Sequence, residues 1–69
     1  MQLFQINRGL WISLNQKYRI QYFAYFGGAS EWVVSEQGKD SVYFNAIAGA
    51  ATLEEAKKIY FNHIQAVAA

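Results

Sequence analysis

From residue 18 to residue 26 the chain alternates with a period of two. Tyr18, Ile20, Tyr22, Ala24 and Phe26 share one parity, and Arg19, Gln21, Phe23 and Tyr25 share the other. That period predicts a β-strand, the longest in the chain, with two distinct faces. Upstream, Leu10, Ile12 and Leu14 alternate with Trp11 and Ser13 and predict a second strand. Downstream, strands are predicted over residues 30–35 and 42–47, separated by turn signals at Gly27-Gly28-Ala29 and at Gln37-Gly38-Lys39. Residues 1–8 allow a short strand or an arm lying on the sheet, with Phe4 and Ile6 flanking Gln5.

Register follows from matching faces, because directly opposed residues point the same way and a one-residue slip inverts a strand. A two-residue loop between the first two long strands sets Ile12 opposite Arg19 and mixes apolar with charged. A three-residue loop sets Leu14 opposite Tyr18, Ile12 opposite Ile20 and Leu10 opposite Tyr22, and keeps one face apolar. The same reasoning places Ala24 opposite Trp32 and Tyr22 opposite Val34, then Trp32 opposite Phe44 and Val34 opposite Val42. Ala48-Gly49-Ala50-Ala51 reads as a break. After it Thr52 and Glu55 have the spacing of a capping box. Leu53, Ala56, Tyr60, Ile64 and Val67 form one helical stripe, with Ile59 and His63 on its edge. The expectation is one α+β domain over residues 1–69. An antiparallel meander of three to four strands within residues 10–47 packs on a single C-terminal helix over residues 52–67. The predicted core is Leu10, Ile12, Leu14, Ile20, Tyr22, Ala24, Phe26, Trp32, Val34, Val42 and Phe44.

Composition narrows this picture. The chain has 69 residues, 54% of them hydrophobic and 17% aromatic, so it is far too apolar for disorder. It has no cysteine and a single histidine, which excludes disulfides and leaves too few ligands for a structural zinc site. No apolar run approaches the roughly 18 residues of a membrane span, and the N-terminus lacks the pattern of a secretion signal, so a cytoplasmic protein is expected. Net charge is +1. Residues 1–30 hold Arg8, Lys17 and Arg19 with no acid, whereas residues 31–69 carry a slight acidic excess.

Reaction chemistry finds little support. His63 is alone at the edge of the helical stripe and reads as a boundary residue with one nitrogen in water. The run Gly38-Lys39-Asp40-Ser41 fails as a phosphate loop, because Val33 stands where the first glycine belongs and Asp40 where Ser or Thr belongs. Glu36 and Asp40 read as solvated carboxylates at one turn. No nucleophile–base pair, catalytic residue, cofactor or metal site is implied, and the protein is expected not to be an enzyme.

The face away from the helix is the informative one. A solvated sheet face normally turns polar. Here the predicted registers give it Trp11, Arg19, Gln21, Phe23, Tyr25, Val33 and Tyr43, with Phe23, Val33 and Tyr43 in one cross-strand row. Exposed apolar patches of this kind mark interaction sites. The expected function is therefore contact with a protein through the open face, the partner being another protein or a second copy of the chain, with no membrane or small-molecule substrate. The alternative is nucleic-acid binding, with Arg8, Lys17, Arg19 and Lys39 on phosphates and the aromatics stacking. In support of that alternative, the strands at residues 18–26, 30–35 and 42–47, followed by Thr52, Leu53, Glu54, Glu55, Ala56, Lys57 and Lys58, give an architecture that resembles the plant-type AP2 domain and the arm-binding domain of phage integrases. The resemblance implies a sheet placed in the DNA major groove. The second and third strands of the trio lack the Arg and Lys those domains carry, and Glu31 stands on the would-be reading face. In general type the chain also resembles small phage or mobile-element accessory proteins, inhibitors of host defence among them.

Overall fold

The computed structural model describes residues 2–38 and 43–68. Five strands form one antiparallel sheet in chain order: β1 (Leu3–Asn7), β2 (Leu10–Ser13), β3 (Tyr18–Ala24), β4 (Ser30–Gln37) and β5 (Phe44–Ala50). One helix, α1 (Leu53–Ala68), follows and lies over β4 and β5. The α+β class and the antiparallel meander are as the alternation predicts. The N-terminal segment is a fifth strand paired with β2, where the expectation was three to four strands and a strand or arm.

The helix starts where its sequence says. Thr52 Oγ1 accepts the Glu55 amide hydrogen at 3.2 Å, and the acids Glu54 and Glu55 occupy the positive end of the helix dipole. Ala56 and Tyr60 are fully buried, and Leu53, Ile59 and Ile64 pack beside them. Val67, at the last turn, stays exposed. Across from the helix the core is Tyr18, Ile20, Val34 and Ala50, with Leu3, Trp11, Trp32 and Ile47 around them. The Tyr18 and Tyr60 rings meet edge to face at 5.5 Å.

The registers differ from those expected, and each difference has a local cause. In the β2–β3 pair Ile12 stands opposite Arg19, Trp11 opposite Ile20 and Leu10 opposite Gln21. This is the arrangement that face matching disfavours. The connecting turn decides it. The Ser13 hydroxyl donates to Asn15 Oδ1 at 2.6 Å and accepts the Tyr18 amide hydrogen at 3.1 Å, while Asn15 Oδ1 also takes the Lys17 amide hydrogen. Gln16 sits at φ 63°, in the left-handed region, and its N–H donates to the Ser13 carbonyl. Residues 14–17 thus make a four-residue turn held by side-chain bonds, and Ser13 is drawn into the buried side. Leu10 and Ile12, expected in the core, lie on the other face, and Leu14, also expected there, is in the turn and 65% exposed.

Between β3 and β4 the observed pairs are Tyr22 with Trp32 and Ile20 with Val34, two residues from expectation. Gly27 (φ 88°) and Gly28 (φ 85°) both take left-handed backbone, so they fill the turn itself. Tyr25 N–H then donates to the Ala29 carbonyl at 2.7 Å, which leaves Ala29 outside the turn and Phe26 projecting into solvent. A shift of two preserves the faces. Tyr22 and Ala24 accordingly stay on the helix side, but beyond the helix, and are exposed.

The largest correction is β5. It runs through the stretch expected to be a break, pairing Trp32 with Ala50 and Val34 with Ala48, and a bulge admits Ile47 as an extra residue packed against the core. Small side chains here serve the packing: Ala48 and Ala50 are on the side covered by α1. Phe44, expected opposite Trp32, stands opposite Gln37 on the face away from the helix. Val42, expected opposite Val34, lies outside the described residues, as do Lys39 and Asp40.

Candidate functional site

The sheet sorts its side chains into two environments. On the helix side three polar side chains, Tyr18, Glu36 and His63, are bound to each other. His63 Nε2 lies 3.1 Å from Glu36 Oε2, and because an ionised carboxylate only accepts, the ring hydrogen is on Nε2. The Tyr18 hydroxyl donates to the same carboxylate, and the Tyr18 ring stands edge-on to His63 at 5.8 Å. The bond from His63 holds the Glu36 carboxyl below the ordinary 4.5, with the Tyr18 bond adding to the effect against partial burial. Burial raises the Tyr18 and Tyr60 hydroxyls, Tyr18 further through Glu36 and Tyr60 further through Tyr18. This cluster corrects one expectation. Glu36, expected as a solvated turn acid, stands in β4 and binds Tyr18 and His63, while Asp40, its expected neighbour, lies outside the described residues; His63 is a half-buried boundary residue with Nε2 on Glu36. Together they tie the C-terminal half of α1 to β4.

The tie has a pH signature. A carboxyl whose folded pKa is depressed adds stability above its unfolded pKa and loses it as pH falls through the folded value. Stability should therefore drop on acidification below pH 4.5. The side chain of Glu36 is 41% exposed, so its share is small, under about 1 kcal/mol. Denaturant midpoints at neutral pH and in acid should place Glu36→Gln below the parent at the first, with the gap narrowing as pH falls. A gap that stays the same size would show that the charge on Glu36 adds nothing.

The opposite face is the candidate site. Direct pairing aligns Phe4 with Ile12, Ile12 with Arg19, Arg19 with Ser35, and Ser35 with Ala46. The next row is Leu10, Gln21, Val33 and Gly49. Beyond it Phe23 faces Glu31. Phe23 is 39% exposed and Tyr25 50%, with their rings stacked at 6.5 Å. Arg19 lays its guanidinium 4.0 Å over the Phe44 ring. The Tyr25 hydroxyl donates to Glu31 Oε1 at 2.8 Å, a bond that raises the Tyr25 pKa. Gly49 makes room for that carboxylate: a Cβ there would run into Glu31 Oε2. At the β1–β2 corner Phe4, Ile6, Ile12, Ser13, Leu14 and Gln16 line an open groove of about 420 Å³.

Of the residues expected on this face, Arg19, Gln21, Phe23, Tyr25 and Val33 are there. Trp11 is not. The turn at residues 14–17 inverts β2, so Trp11 packs with the core and the Lys57 ammonium sits 3.9 Å over its ring. Tyr43 precedes β5 at the end of the sheet remote from Phe23, 76% exposed, and the expected row through Phe23, Val33 and Tyr43 does not form. The residues missed by the sequence reading are Phe4, Leu10, Ile12 and Phe44. The inversion of β2 thus makes the open face more apolar than expected.

Of the four cations expected to meet phosphates, three lie within the described residues. Arg8 lies in the β1–β2 turn and Lys17 in the β2–β3 turn, at opposite ends of β2, while Arg19 is on the face and Lys39 is outside the described residues. Among the described residues no three His, Cys, Asp or Glu side chains group as metal ligands, and no helix is long and apolar enough to cross a membrane. Comparison with models of protein families, with curated proteins and with solved structures gave no match.

Proposed function

We propose that the chain is a non-enzymatic binding module that engages a protein through the open face of its sheet. The observation behind this reading is the apolar content of that face, with Phe4, Leu10, Ile12, Phe23, Tyr25, Val33 and Phe44 on one side of the sheet and α1 on the other. A sheet that already has a helix on one side needs no second apolar face to fold, and surfaces of this kind mark protein contacts. Aromatic residues with one arginine among them have the make-up of an interface centre.

A photo-crosslinking phenylalanine analogue at Phe23 tests the reading in cells expressing the protein, with the same analogue at Phe61 on the helix as reference. Adducts with a protein from position 23 and none from position 61 are expected. No adduct from position 23, or adducts with nucleic acid alone, overturns it.

A further inference from the structure

We infer that the protein covering the open face is a second copy of this chain, packed sheet to sheet across a two-fold axis. This rests on the reading above and names its partner. Its separate support is the layout of charge. Among the described strand residues on the open face two are charged, Arg19 and Glu31. They lie at opposite ends. Arg19 is level with Ser35, Glu31 is level with Phe23, and the neutral row of Leu10, Gln21, Val33 and Gly49 runs between them. Phe23 stands four positions after Arg19 along β3, about 13 Å at the rise of a strand.

A two-fold axis lying between two such faces, perpendicular to the strands and level with the neutral row, inverts that order. Arg19 of one copy then meets the end of its mate that carries Phe23 and Glu31, and symmetry makes the contact twice. The row on the axis is neutral, so no like charges meet there. A face bearing one base and one acid at opposite ends is complementary to itself. A phosphate backbone would favour one sign of charge along its whole path, and Glu31 opposes it. Five strands spaced by about 4.8 Å and some 20 Å long give each copy a footprint near 500 Å². The total of about 1,000 Å² is at the lower bound for a specific interface, which places the dimer in the weak, reversible class.

Sedimentation velocity over a range of concentrations tests this, with circular dichroism confirming that each variant is folded. The parent should dimerise reversibly. Arg19→Glu and Glu31→Arg should each weaken the dimer at least tenfold, by setting like charges against each other. The double variant should recover it. An equimolar mixture of the two single variants should form a heterodimer, because both cross-axis contacts again join opposite charges. Should Arg19→Glu fail to fold, Gln21→Lys serves instead, since it sets like charges together near the axis and should also dissociate the dimer. A parent that stays monomeric, single variants that dimerise like the parent, or a mixture that stays monomeric beside a dimeric parent overturns the inference. A monomeric parent that still gives adducts with another protein from position 23 removes the second copy and leaves the protein-binding reading in place.

Discussion

Val34→Asp is expected to leave no folded protein, whereas Val33→Asp, one residue away, should fold and lose association through the sheet. Val34 is fully buried on the helix side, level with Ile20 and Ala48. Substitution removes about 1.5–3 kcal/mol of apolar burial and adds a buried, unpaired carboxylate at several kcal/mol more. A domain of this size has roughly 3–10 kcal/mol in all, on the usual scale per residue. The loss is therefore comparable with the whole stability. Val33 lies on the other side of the same strand, between Gln21 and Gly49. A carboxylate there keeps contact with water, and its cost to the fold should stay within about 1 kcal/mol, as for substitutions away from the core. Thermal unfolding followed by circular dichroism separates the two. Unfolding by Val33→Asp as well would make the second face part of the core and remove the basis for a docking surface.

That contrast works because the phase of β3 and β4 is legible in the sequence. No bulge interrupts the β3–β4 ladder, and a register shift of two residues leaves every side chain on its own face. Arg19, Gln21, Phe23, Tyr25 and Val33 could thus be assigned to the open side although their predicted cross-strand neighbours were wrong. Helix α1 was legible for another reason, since its cap, its acidic first turn and its apolar stripe agree. In β2 two signals conflict. The larger apolar set, Leu10, Ile12 and Leu14, argues for one phase, and the turn argues for the other. Face matching discriminates only when one face is polar, and here both are apolar. The deciding information was in Ser13 and Asn15, two polar side chains at the spacing that bonds a tight turn. In β5 the difficulty was composition. Ala46, Ala48, Gly49 and Ala50 have weak strand propensity, and tertiary fit under α1 and beside Glu31 outweighs it. The bond between His63 and Glu36 joins residues 27 apart in the chain, and no local pattern announces it.

The conflict in β2 can be settled at the bench by the relative costs of Trp11→Ala and Ile12→Ala. If apolar count set the phase, Ile12 would be core and Trp11 surface, and the isoleucine change would cost more. The structure reverses the order. Trp11 stands opposite Ile20, packs against the core and carries the Lys57 ammonium over its ring. Truncation should cost about 3 kcal/mol, the range for removing an aromatic side chain from a packed site, of which the lost cation–π contact is about 0.5–1 kcal/mol. Ile12 lies on the half-exposed open face beside Phe4 and Arg19, where the same truncation should cost about 1 kcal/mol. Trp11→Phe should fall between them, because it keeps an aromatic ring in the packed site and under Lys57. Urea denaturation of the three variants, run dilute enough to be monomeric, gives the ranking directly. A larger loss for Ile12→Ala than for Trp11→Ala would return Leu10, Ile12 and Leu14 to the core. It would also strip the open face of two of the apolar residues on which the binding proposal stands.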